Sequence, residues 1–256
     1  MRDNFIRLKN ISFFRTRTDQ VAYFLKGKAV KLLDIGNLGE GVVNVDVRKM
    51  VESNGGEYWG LDVNKNLAEK LGFKNQYIGD LHNLHGVVPD NTFDYIYLGE
   101  VIEHSFKPAE MISECRRILK DGGHLIINTP NAFSFINVFR IYLKKKDSVG
   151  FDVPELAYNE AKDNFSKLRN EEKRLLTQPQ HKILFGPAML RQVLNMNSFK
   201  IESISYMDKS RNIFVKLFLK VFPQAAQQIG VVARKASLEE IFLKPGFGDQ
   251  GYIPEK

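Results

Sequence analysis

Glu100, Glu103 and His104 fall at i, i+3 and i+4 in the stretch EVIEH, a spacing that turns two carboxylates and an imidazole to one side of a helical turn. Such a set can hold a divalent ion, Mg or Mn, with a further histidine or waters completing the shell. The same imidazole can instead take the proton of a reacting hydroxyl without a metal, and purely structural roles for the trio are a third reading. The distant histidine that could serve either as a fourth ligand or as the base is His181. A second constellation lies upstream. VKLLDIGNLGEG (residues 30–41) ends an apolar run in Asp34 and then places Gly36, Gly39 and Gly41 within six positions, which suits a ligand that touches main chain. Asp62 closes the run EYWGLDV, where a carboxylate can take both hydroxyls of a ribose. Asp80 closes NQYIGD and is followed by Leu81, a pair suited to an exocyclic amine and an apolar ring edge. Each of these acids alone could be a turn residue or a helix cap. At three successive strand ends they describe a nucleoside pocket.

The elements needed to position these residues are legible as an alternation of strand and helix signals. VKLLDI, EYWGLDV, NQYIGD, FDYIYLG and HLIINTP read as five strands. The helices between them include VNVDVRKMVES, stopped at Asn54-Gly55-Gly56, and KPAEMISECRRILKDGG, opened by Pro108 and stopped at Gly122-Gly123. Strands separated by helices imply parallel β-α-β units with right-handed crossovers and a sheet covered on both faces. Residues 185–199 predict a helix opened by Pro187, followed by the strand KIESISYM, and QIGVVARK (228–235) predicts a last strand. NIFVKLFLKVF (212–222) mixes bulky apolar residues with Lys216 and Lys220 and is expected to be an amphipathic helix packed on the sheet.

From this point the motifs resemble a known family. LLDIGNLGEG, the strand-final Asp62, GDLHNL, FDYIYLGEVIEH and LKDGGHLIINTPN run in the order of class I S-adenosylmethionine (SAM)-dependent methyltransferases, across residues 30 to about 131 and more loosely 181–206. The resemblance implies a methyltransferase with a Rossmann-like, doubly wound, mostly parallel seven-stranded sheet, an antiparallel last strand and an insertion after the fifth strand. It implies one domain over 1–256, divided into an N-terminal helical segment 1–28, a SAM-binding core 29–131, an insertion 132–184 that builds the acceptor site, a helix-strand part 185–236 and a tail 237–256. Carried over by position, Asp34, Gly36, Asn37, Leu38 and Gly39 would line the methionine part of SAM. Asp62 and Val63 would hold the ribose side, Asp80 and Leu81 the adenine, and Gly99 and Glu100 would flank the methyl donor. The glycine loop is one residue longer than the family's Asp-x-Gly-x-Gly-x-Gly. A nicotinamide cofactor is disfavoured, because a dinucleotide fold wants G-x-G-x-x-G and this chain has G-x-x-G-x-G. Tyr142 and Lys146 have the spacing of a short-chain dehydrogenase pair, but they lie in the basic run YLKKK, where that spacing arises by chance.

Glu-x-x-Glu-His followed by a distant His is similar to two metal-assisted O-methyltransferase groups, those of ubiquinone biosynthesis and those methylating the terminal 2′-hydroxyl of small RNAs. In the second group a Thr-Pro-Asn and a later His-Lys occur in similar order, as Thr129-Pro130-Asn131 and His181-Lys182 do here. The overall pattern also resembles methyltransferases of bacterial polysaccharide assembly. The Asn/Asp-Pro-Pro-aromatic motif of nucleobase N-methylating enzymes is missing after the fourth strand. The expected acceptor is therefore a hydroxyl on a sugar, glycan precursor or other small molecule, phosphorylated or lipid-linked, with RNA as the alternative and a non-catalytic partner subunit a remoter one. Arg140, Lys144, Lys145 and Lys146 add to the basic character of the acceptor region.

Composition sets the outer frame. The chain has 256 residues, 43% apolar and 26% charged, and a net charge of +7, which permits an anionic partner. No run approaches the ~20 apolar residues of a membrane span, and MRDNFIRLKN lacks a signal peptide's apolar middle. Cys115, the single cysteine, falls in a helical pattern and reads as a packing residue in a reducing cytoplasm, with the protein either free or peripheral to the inner membrane surface.

Overall fold

The computed structural model describes residues 11–38, 45–71, 74–135, 137–138, 182–210, 212–237 and 240. Its elements, in chain order, are β1 Ile11–Phe14, α1 Arg17–Leu25, β2 Lys31–Ile35, α2 Val45–Ser53, β3 Glu57–Asp62, α3 Lys65–Leu71, β4 Gln76–Ile78 and β5 Phe93–Gly99. There follow a 3₁₀ turn Ile102–His104, α4 Pro108–Ile118, β6 Leu119–Pro130, α5 Pro187–Met196, β7 Phe199–Met207, α6 Ile213–Val221, a second 3₁₀ turn Pro223–Ala225 and β8 Gln228–Lys235. The sheet has eight strands in the order β1-β7-β8-β6-β5-β2-β3-β4. β8 is antiparallel to both β6 and β7, and every other pairing is parallel.

Side-chain alternation divides the sheet into two covered faces. Leu33, Ile35, Ile96, Leu98, Leu125 and Ile127 point to a core shared with α4 and α5. Leu32, Tyr95, Tyr97, Ile126 and Val232 point the other way, to Val21 and Leu25 of α1 and Val47 and Val51 of α2. Helix starts follow local chemistry: Thr16 and Asp19 form a reciprocal capping box at α1, and proline occupies the first turn of α4 and of α5. A buried polar clamp fixes α1 to the sheet. Gln20 donates to Ser205 Oγ at 2.6 Å and accepts from the Asn128 amide, and a side chain at Gly230 would put its Cβ 2.5 Å from Gln20 Oε1. Cys115 is fully buried in the core; burial first and the Glu114 charge second push its thiol up, so it stays protonated.

Three expectations are corrected. The sheet has eight strands rather than seven, because ISFF inside the segment expected to be helical pairs with β7 as an edge strand. α4 ends at Ile118, and LKDGG joins β6, its Gly122 at φ +73°. α6 is a helix, but only Leu219 is buried on it and Val215 packs against the core from partial exposure.

Candidate active site

Because β2, β3, β4, β5 and β6 run parallel, their carboxyl ends share one edge of the sheet, where a ligand finds the ends of several strands at once. After β2, Gly36 adopts φ +71°, and a Cβ there would lie 2.7 Å from Val101 Cγ2. The loop therefore turns tightly against the segment that follows β5, and only glycine fits. Its amides are committed one by one: Gly36 N donates to Leu61 O at 2.8 Å, and Leu38 N to Asp62 Oδ2 at 3.1 Å. Asn37 exchanges two hydrogen bonds with the Gln76 amide, at 2.9 and 3.1 Å, and the Leu38 side chain packs with Ala68. Asn37 and Leu38 thus face the protein with their side chains. Asp34 is buried and accepts from Tyr58 Oη at 2.9 Å, beneath the loop. Gly39 and Gly41 lie outside the described residues.

Asp62 takes the Leu38 amide on one oxygen and the Asn64 amide on the other, at 2.9 Å. A carboxylate has about four lone-pair sites, so acceptor capacity for a diol remains. Val63 beside it is 71% exposed, an apolar surface with no neighbour covering it among the described residues. Asp80 accepts both the backbone amide of His82, at 2.9 Å, and its Nδ1, at 2.7 Å. Burial pushes the Asp80 carboxyl up, but the two His82 hydrogen bonds outweigh it and hold the group below its ordinary value. The far nitrogen of His82 meets Ser105 Oγ at 2.7 Å, so one imidazole ties Asp80 to the turn that follows His104. Leu81 is buried in the core. The sequence motifs alone assign His82 no role. The signal was its place two residues after Asp80, the spacing at which an aspartate receives a backbone amide.

The EVIEH stretch does not present one face. Glu100 stands outside the helical turn at φ +59°, its amide donating to Asn128 O at 2.8 Å, and the turn itself is 3₁₀. At about three residues per turn, Glu103 and His104 diverge by about 120°. The Glu100 carboxylate is held by Arg17 at 2.6 Å and by Gln228. Glu103 is fully buried and accepts from Thr129 Oγ1 at 3.0 Å, while its carbonyl takes the amides of Lys182, at 2.6 Å, and Ile183, at 3.1 Å. Burial pushes its carboxyl up to about 7, with the Glu100 charge adding to the effect. Among the described residues no three His, Cys, Asp or Glu side chains converge as a metal site, and Glu100, Glu103 and His104 are not brought together as one. His181 lies outside the described residues. The structure instead joins EVIEH to the Thr129-Pro130-Asn131 turn: Glu103 holds Thr129, and Asn131 Nδ2 donates to the carbonyls of Gln224 and Ala226 at 2.7 and 2.8 Å.

Residues 33–127 match the family described as a methyltransferase domain, and that span carries the glycine loop, Asp62, Asp80 and EVIEH. This match supports the class I SAM-dependent methyltransferase superfamily for that span. The chain is 27% identical over 150 residues to a demethylmenaquinone methyltransferase of Staphylococcus haemolyticus, covering 54% of this chain and 62% of that one. It is 28% identical over 108 residues to a ubiquinone biosynthesis O-methyltransferase of Proteus mirabilis, covering 40% of this chain and 42% of that one. The chain thus spans less than two thirds of these curated relatives' lengths. A SAM-dependent methyltransferase from Mesorhizobium loti superposes with a TM-score of 0.56 at 17% identity, over 84% of this chain and 96% of that one, which shows the shared fold.

Proposed function

We propose that this chain transfers the methyl group of SAM to a hydroxyl oxygen of a sugar, glycan precursor or other small molecule. The observation that carries the reading is the convergence on one sheet edge of a positive-φ glycine turn, two strand-end acids with spare acceptor capacity and the 100–104 turn. In this reading the loop of Gly36, Asn37 and Leu38 lies at the methionine part of the cofactor, above the buried Asp34. Asp62 takes the ribose hydroxyls beside Val63, Asp80 and Leu81 border the adenine, and Gly99 and Glu100 flank the reacting centre. Bound SAM supplies an already activated methyl on a sulfonium, so the protein's task is alignment and removal of a proton. Arg17 and Gln228 pin the Glu100 carboxylate and thereby the β5 end, and the Glu103–Thr129 bond fixes the turn that carries His104. His104, on that turn, takes the hydroxyl proton as the oxygen attacks.

The test is transfer of radiolabelled methyl from SAM to phosphorylated and nucleotide-linked sugars and to small RNA. Label in a sugar fraction is expected, and His104→Ala should keep SAM affinity while losing about 100-fold or more of the transfer rate, the usual weight of a general base. Undiminished transfer in that variant would remove His104 from its role. Label entering RNA, with binding that weakens steeply in salt, would replace the acceptor.

A further inference from the structure

α6 is nine residues long, opened by Asn212 Oδ1 accepting the Phe214 amide at 2.8 Å. At about 100° per residue, Val215 and Leu219 fall on one narrow line, and that line packs inward. Ile213, Phe214, Leu217, Phe218, Val221 and the following Phe222 occupy the opposite arc and are 41–77% exposed. Single exposed apolar residues are ordinary, but six on one continuous arc mark a docking surface. The Phe135 ring meets Phe218 edge-on at 5.9 Å and extends the arc.

The flank between this arc and the inward line carries the charge. Lys216 and Lys220 are exposed there and, with Arg15 and Phe13 of the edge strand region, line a cavity of about 670 Å3 along the helix. Asp208 also lines it, but its carboxylate is committed to the amides of Ser210, at 2.8 Å, and Gln227, at 3.4 Å. Three cations therefore face the opening against one hydrogen-bonded acid, on a chain of net charge +7. The place of the helix matters as well. α6 leaves the carboxyl end of β7, which runs parallel to β6, so it sits on the edge of the sheet that carries Gly36, Asp62 and Glu100. The segment just after it is pinned to that edge by Asn131 and Gln228.

From these observations we propose that α6 docks the protein on an anionic lipid surface. The apolar arc enters the headgroup–acyl boundary, Lys216, Lys220 and Arg15 meet lipid phosphates, and the mouth of the SAM cleft is held at the membrane. An apolar arc flanked by lysines is the pattern of an interfacial helix, whereas lysine is depleted from protein–protein interfaces. Pairing the same face on a second copy would bring like-charged lysines together.

The test is sedimentation of the full chain with phosphatidylcholine vesicles, with and without phosphatidylglycerol. Binding should require the anionic lipid and fall with salt. Lys216→Gln with Lys220→Gln should weaken it by about fivefold per lysine removed. Phe214→Ser with Leu217→Ser should abolish it while leaving the thermal midpoint and SAM affinity unchanged. Failure to bind anionic vesicles, or binding that neither pair of substitutions alters, would overturn the proposal. So would a dimer in light scattering that Phe214→Ser with Leu217→Ser dissociates, since the arc would then belong to a second copy.

Discussion

Replacing Glu103 by glutamine removes one titrating group from the wall of the site and leaves its shape. The carboxyl is fully buried and sits at about 7, raised from an ordinary value of 4.5 chiefly by burial. That rise corresponds to about 3 kcal/mol. The sign follows from which state holds the proton. Between pH 4.5 and about 7 the unfolded chain has released it and the folded chain keeps it, so stability falls as pH rises across that window. Below pH 4.5 neither state bears the penalty, and above about 7 the folded chain carries all of it. In Glu103→Gln the new amide oxygen would still accept from Thr129 Oγ1, so the 3.0 Å bond survives. Urea denaturation of both proteins should show Glu103→Gln gaining about 2.5 kcal/mol relative to wild type between about pH 5 and about pH 8, with other titrations cancelling in the difference. A difference that stays constant with pH would mean that Glu103 does not titrate in this window, and the burial argument would fail.

Gly36→Ala should cost about 2 kcal/mol in denaturant unfolding, since φ +71° penalises any side chain and the new Cβ meets Val101 Cγ2 at 2.7 Å. Adding Val101→Ala should recover the contact part only; an unperturbed Gly36→Ala protein would contradict the turn geometry. His82→Ala removes the imidazole that links Asp80 to Ser105 and should weaken SAM affinity about tenfold by calorimetry, the worth of one lost hydrogen bond with its positioning. Equal affinity in His82→Ala would leave the Asp80–His82–Ser105 bridge structural.

How far the sequence could be read depended on how local each signal was. FDYIYLG and QIGVVARK are placed to the residue as β5 and β8, because an apolar run bounded by turn residues carries its own boundaries. ISFF was not legible as a strand: four residues acquire that state only by pairing Ile11 with Ile204 and Phe14 with Met207, partners far along the chain. The pattern of 213–221 specified a helix, yet not which side would be covered. Two inward residues, Val215 and Leu219, suffice to seat it, and the wider apolar arc stays exposed. For the site, Asp62 was legible at its strand end because a strand terminus is a local event, whereas Asp80 stands two residues beyond β4. The mutual geometry of Glu100, Glu103 and His104 was not, because it depends on a left-handed φ at Glu100 set by Arg17, Asn128 and Gln228 from three other elements. The Glu103–Thr129 bond, which joins two motifs 26 positions apart, was suggested by neither motif alone.

Calorimetric titration of SAM into the wild-type chain and into Asp62→Ala tests the central claim most directly. The cofactor reading predicts saturable one-to-one binding to the wild type and, in the variant, an affinity at least about 100-fold lower, from loss of charge-assisted hydrogen bonds to the ribose. Unchanged affinity in a folded Asp62→Ala protein, or no SAM binding to the wild type, would contradict it.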